Sequence, residues 1–209
     1  MQNSSQQNQL NNDHSSGIQN IHRGGHELLD MHEALSSIIG LLDQFVIYRS
    51  LAKDNELLTI LNRQYNFILA HYNLTVECFI SGEKPSHDTT MYAMPETAIQ
   101  ITYGLTPSQP KKPVQSVTEI KDEQISGFML GALKTNASLL TMITAEVNNP
   151  VVRRVVAAQV ENYTEMAYEV FLYQNKHKYY QVAMLENSDG QQMLHSYAQA
   201  TAQPQVPIQ

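Results

Sequence analysis

Three side chains near the start of the chain have metal-ligand chemistry at helical spacing. His22, His26 and Asp30 stand at i, i+4 and i+8. A helix through all three would put two imidazoles and a carboxylate on one face, a set that suits zinc or another divalent ion. Gly24-Gly25 lies between the histidines and argues against continuous helix there, so surface histidines ahead of a helix are the simpler reading. His32 and His71 flank two apolar stripes and are expected to meet across a helical hairpin as a hydrogen-bonded core pair. A dinuclear carboxylate site would need a glutamate from each of two helices and Glu-x-x-His from each of two others. The chain has thirteen glutamates and none is followed by a histidine three residues on. Glu77 meets Ile80, Glu161 meets Thr164 and Glu165 meets Tyr168. The expectation is therefore no metal site, no cofactor and no catalytic residue.

Nucleophilic chemistry is equally unsupported. There is no Gly-x-Ser-x-Gly and no glycine-rich phosphate loop. Cys78 is the only cysteine, so no intrachain disulfide can form. Its place beside an apolar stripe reads as a small buried hydrophobe, with an intermolecular bridge as the alternative. Tyr163, Tyr168 and Tyr173 recur at near-helical spacing and read first as packing residues with a polar handle. Oxidative cross-linking between molecules is their second meaning.

These residues must be held by helices. Leu28, Met31, Leu35, Ile38, Leu42 and Phe45, with Arg49 closing the series, advance in steps of three and four. Leu57, Leu61, Tyr65, Ile68, Tyr72 and Phe79 repeat the pattern after a polar break at Lys53-Asp54-Asn55, so the two stretches form an amphipathic hairpin. The first helix is expected over 27–53, with Glu27 and Asp30 favoured in its first turn by the helix dipole. The second is expected over 56–81, capped by Asp54 or Asn55 and stopped by Ser81-Gly82 and Pro85.

Residues 83–117 contain five prolines and form a long connector. About 35 extended residues can cover the roughly 40 Å length of such a helix, so the connector can return the chain to the other end of a bundle. A third helix is expected over 118–147, with Ile125, Phe128, Ala132, Leu139 and Ile143 as its stripe. A fourth is expected over 150–178, opened by Pro150 after Asn148-Asn149, with Val152, Val155, Gln159, Met166, Val170 and Tyr173 inward. Asp54-Asn55-Glu56-Leu57-Leu58 resembles Asn148-Asn149-Pro150-Val151-Val152, a weak internal repeat. Two short hairpins joined by one long crossover match the ferritin-like form of the four-helix bundle, an all-α fold.

Composition bounds the rest. Residues 1–21 are rich in Gln and Asn and are expected to be a disordered tail, 22–185 to be the bundle, and 186–209 a flexible Gln-rich tail. The net charge of −7 argues against binding nucleic acid. The first twenty residues lack Lys, Arg and any apolar core, so no secretion signal is expected. No stretch of 18 residues is apolar without interruption, so no membrane span is expected.

Several segments carry a resemblance. Ser126-Gly127-Phe128, Asn149-Pro150-Val151-Val152-Arg153-Arg154 and Tyr173-Gln174-Asn175-Lys176-His177-Lys178-Tyr179-Tyr180-Gln181-Val182 resemble the Coat F family of bacterial spore coat proteins. His22-Arg23-Gly24-Gly25-His26-Glu27-Leu28, Val76-Glu77-Cys78-Phe79 and the segment Tyr103 to Pro113 look like its longer members. The resemblance implies a ferritin-like helical fold and no enzyme activity. It also implies residence in the spore coat after synthesis in the sporulating cell, with other coat proteins, or further copies of itself, as partners. One departure stands out. Where the family's last helix is expected to carry a Met-His-Glu segment, this chain has Met166-Ala167-Tyr168-Glu169, which puts any histidine-dependent site of relatives in doubt here.

Overall fold

The protein is described by a computed structural model covering residues 23–95 and 100–200. Four long helices dominate it: α1 (Gly25–Leu51), α2 (Asn55–Ser81), α3 (Asp122–Glu146) and α4 (Pro150–Lys176), followed by a short exposed α5 (Asn187–Leu194). The described residues contain no β-strand, only a single bridge between Tyr103 and Val182. The ends of the helices follow their capping residues. The Asp54 carboxylate accepts from the N–H groups of Glu56 and Leu57, and Asn149 does the same for Val151 and Val152 ahead of Pro150. Gly82, at φ 73°, closes α2 in the left-handed conformation that glycine adopts without a Cβ clash.

The helix bodies pack in a ring. α1 lies on α2 and α3, and α4 lies on the same two helices, so α1 is opposite α4. Met31, Ile38 and Phe45 of α1, Leu57, Leu61 and Ile68 of α2, Met129, Leu133 and Leu140 of α3, and Val152, Val156 and Val170 of α4 are fully or almost fully buried. All six residues expected to face inward on α4 are buried.

The internal repeat runs through both hairpins. Adding 95 to the bounds of α2 reproduces those of α4. Every buried residue of α2, from Leu57 to Cys78, then falls on a buried residue of α4, from Val152 to Tyr173. Asp54 thereby corresponds to Asn149, one position later than the sequence comparison of the two turns implies. The polar position repeats as well, with Gln64 and Gln159 both buried.

Three expectations are corrected. α3 opens at Asp122, four residues later than expected, because Val117–Glu119 forms a separate 3-10 turn and Ile120-Lys121 is extended. That start lets the Asp122 carboxylate reach the α1–α2 turn, where it accepts from the N–H groups of Lys53 (2.9 Å) and Asp54 (3.4 Å). α4 ends at Lys176, because the Tyr179 N–H turns back to the Gln174 carbonyl and the Lys178 N–H to that of Asn175, the Schellman closure. The expected stripes of α1 and α3, finally, take in exposed residues as well as core ones. Leu28 and Arg49 are exposed, Phe128 is 43% exposed, and Met31, Ala34, Ile38, Leu41 and Phe45 form the core edge of α1.

The expected tail 1–21 lies outside the described residues, as does 201–209. α1 has the length and apolar content of a membrane-crossing helix, but it is packed as one wall of the ring.

Candidate functional site

The bundle carries a polar layer between α2 and α4. Glu169 projects from α4 into this seam and Arg63 meets it from α2 as an ion pair through Oε1, with side chains 8% and 29% exposed. Gln64 Nε2 donates to Glu169 Oε2 at 2.9 Å and to the Met166 carbonyl at 3.0 Å. The third wall is the crossover: the Tyr92 hydroxyl donates to Glu169 Oε2 at 2.5 Å and receives a hydrogen bond from Arg63 Nε at 3.0 Å. Burial, reinforced by the neighbouring Glu169, pushes the Tyr92 hydroxyl far above the ordinary tyrosine range. A buried carboxylate is tolerated only with such donors and a counter-charge.

Around this layer, polar side chains hold the crossover by its backbone. Asn162 accepts from the Tyr92 N–H (2.7 Å) and donates to the Thr90 carbonyl (3.0 Å). Nearly two turns beyond Glu169, Asn175 accepts from the Thr102 N–H (2.7 Å) and donates to the carbonyls of Thr102 and Tyr180 (3.0 Å each). His71 Nδ1 lies 3.0 Å from the Phe67 carbonyl and so carries a proton there. Nε2 lies 3.2 Å from the Thr90 nitrogen and 3.1 Å from the Thr90 carbonyl oxygen. Thr90, Tyr92 and Thr102 of the connector thus find side-chain partners for their peptide groups.

The chemistry open to this arrangement is narrow. A general base needs a carboxylate oxygen or imidazole nitrogen free to take a substrate proton. Both oxygens of Glu169 already accept from protein donors, and both nitrogens of His71 face backbone groups. A metal at this seam would have to displace the Arg63 guanidinium, which supplies the positive charge itself. A cleft of about 620 Å³ opens beside it, with Glu56, Thr59, Arg63, Tyr173 and Lys176 on its walls. A wider groove of about 1170 Å³ separates the crossover from the start of α3. Of its lysines, Lys111 is bound to Glu123 and to the Tyr179 carbonyl.

Those residues singled out in the sequence that are described are not brought together. His22 lies outside the described residues; His26 is exposed in the first turn of α1, and Asp30 is half-buried one turn on. Among the described residues no three His, Cys, Asp or Glu side chains converge as a metal-binding group. The expected His32–His71 pair is not formed. His32 is exposed with its ring edge-on to Phe79, while His71 is buried and stacked on Phe67. The reason is the antiparallel hairpin, which sets the first turns of α1 against the last turns of α2. Cys78 is buried, donates to the Thr75 carbonyl, and has its thiol pushed up to about 11 by burial. Tyr163 and Tyr173 are buried packing residues, and Tyr168 is half-buried against Phe171.

Sequence reasoning did not find Arg63, Tyr92, Asn162, Glu169 or Asn175. One signal was available: Arg63 is the only Lys or Arg in α2.

The comparisons with known proteins bear on the same segments. A family model for the Coat F domain matches residues 121–183, the stretch of α3, α4 and the closing Schellman turn. The spore coat protein F-like protein YhcQ of Bacillus subtilis (strain 168) is 51% identical over 201 residues, covering 96% of this chain and 92% of that protein. No solved structure matches the chain. Matched over nearly its whole length, with the α3–α4 hairpin as the recognised domain, the chain belongs to the Coat F family of spore coat proteins.

Proposed function

We propose that the protein is a non-enzymatic structural component of the bacterial spore coat, a ferritin-like helical scaffold that assembles with other coat proteins. The observation that carries this reading is Arg63 paired with Glu169 in the seam between α2 and α4. An internal guanidinium takes the place that a cation would need, and Tyr92 and Gln64 both donate to Glu169 Oε2. The two antiparallel hairpins, with a crossover running from one end of the bundle to the other, support the ferritin-like topology. Family membership supports the coat as its location, after synthesis in the sporulating cell.

The alternative is a ferritin-like metal-binding or redox protein. Elemental analysis of protein produced with added iron and manganese separates the two. The structural reading expects less metal than protein in molar terms, and a stoichiometric, dialysis-resistant metal would overturn it. Location is tested separately by a fluorescent fusion in sporulating cells, where signal confined to the spore surface is expected and signal spread through the mother cell would count against it.

A further inference from the structure

We infer that the outer face of the α1–α2 hairpin is a self-association surface, on which a second copy of this chain packs. Leu28, His32, Leu35, Ile39, Val46 and Arg49 recur along α1 at helical spacing, with Leu42 between Ile39 and Val46 turned into the core. His32 and Arg49 place this stripe at the α2 seam, His32 beside Phe79 and Arg49 over the Tyr65 ring. The facing stripe of α2 contains Leu58, Tyr65, Leu69, Tyr72 and Val76. Leu28 is 42% exposed, Ile39 42%, Val46 50% and Leu69 37%. From Gln64 to Val76 of α2 there is no Asp, Glu, Lys or Arg, and from Ala34 to Tyr48 of α1 only Asp43.

The internal repeat supplies a control within the same molecule. At an offset of 95, Leu28 corresponds to Glu123, Ile39 to Lys134, Val46 to Thr141, Leu58 to Arg153 and Leu69 to Thr164. At these five positions the α3–α4 hairpin presents charged and polar residues where the α1–α2 hairpin presents apolar ones, while Leu35, Tyr65 and Val76 keep apolar counterparts in Leu130, Val160 and Phe171. Folding of this hairpin shape does not require those apolar residues, since its twin does without them.

Size and charge select the occupant. Two helices of 27 residues give a face roughly 40 Å long and about 20 Å wide, on the order of 800 Å² per copy, which is what a standard dimer buries on each side. An isologous contact lays this charge-poor surface on itself, with Asp43 beside Ile39 and Val46 and Arg49 at the end of the stripe as its α1 charges. A membrane fits less well. α1 and α2 together hold Glu27, Asp30, Glu33, Asp43, Glu56 and Glu77 against Arg49 and Arg63, an acidic balance that anionic lipid repels. The inference does not rest on the coat assignment.

Light scattering on the full-length chain tests it, with twice the 23.6 kDa chain mass expected. The double variant Ile39→Lys, Leu69→Thr installs the residues of the α3–α4 counterpart and is expected to weaken pairing by about 100-fold or more. Thr141→Lys on the opposite hairpin should leave the mass unchanged. If the double variant loses its helical circular dichroism, Val46→Thr alone is expected to weaken pairing about tenfold. A monomeric wild-type chain, or pairing indifferent to these substitutions, overturns the inference. So does a monomer that sediments with phosphatidylcholine–phosphatidylglycerol vesicles and loses that binding in Ile39→Lys, since the face would then be lipid-binding.

Discussion

Glu27 and Asp122 stand 95 residues apart and do the same work at opposite ends of the bundle. Glu27, in the first turn of α1, accepts from the N–H groups of Asn148 and Asn149 in the α3–α4 turn, both at 2.9 Å. Asp122, in the first turn of α3, accepts from Lys53 and Asp54 in the α1–α2 turn. The two differ in setting: Glu27 is wholly buried beside the Arg23 guanidinium, whereas Asp122 is half-buried. Replacing Glu27 by Ala leaves two turn amides and a buried cation without a partner and is expected to cost about 3 kcal/mol, against about 1 kcal/mol for Asp122→Ala. Urea titrations of the two variants should show that order; equal losses would mean that burial does not set the difference.

The Arg63–Glu169 pair gives a second expectation. Arg63→Met strands a carboxylate that is 8% exposed, at a cost of roughly 2–3 kcal/mol, kept low because the guanidinium is itself 29% exposed. Arg63→Met combined with Glu169→Leu removes both charges and should recover much of that loss. A double-mutant cycle by chemical denaturation reads the coupling, and strictly additive losses would dissolve the pair as an energetic unit.

Alkaline pH offers a third. The Cys78 thiol is raised from 9.0 to about 11, chiefly by burial. Between those values the unfolded chain releases the proton while the folded chain keeps it, so this contribution is intact below pH 9 and is lost as pH rises toward 11. Two units correspond to about 2–3 kcal/mol. Cys78→Ala should flatten the stability profile in that window relative to the wild type. Above pH 10 the buried Tyr163, also raised by desolvation, acts in the same direction in both proteins.

Lys178 has φ 60° at the position after α4 where glycine is favoured. Lys178→Gly is expected to raise stability by about 1 kcal/mol, with a higher melting temperature as the readout. A lower one would show that the exposed lysine side chain makes contacts that outweigh its backbone strain.

What could be read from the residues was local. Asp54, Gly82, Asn149 and Pro150 mark helix ends through bonds to their own neighbours, and each marks its end in the fold. The start of α3 could not be read this way, because Asp122 is chosen by Lys53 and Asp54, far away in the chain. Glu27 carries the same lesson: its place in a first turn suggests a dipole-favoured surface acid, and only the docking of a distant turn buries it. Apolar periodicity located α1 and its core residues Met31, Ile38, Leu42 and Phe45, but the same spacing also drew in Leu28 and Arg49, which are exposed. The Arg63–Tyr92–Glu169 layer joins three segments that have no shared spacing. His32 and His71 were misjudged because stripe membership ignores height along the hairpin.

The exchange of carboxylates between turns makes each hairpin incomplete by itself. The amides of Lys53 and Asp54 in the α1–α2 turn are answered from α3, and those of Asn148 and Asn149 in the α3–α4 turn from α1. Were the peptide chain opened within the crossover, each piece would retain one lock and the key to the other. The halves are reciprocal, and cooperativity between them is written into the two turns.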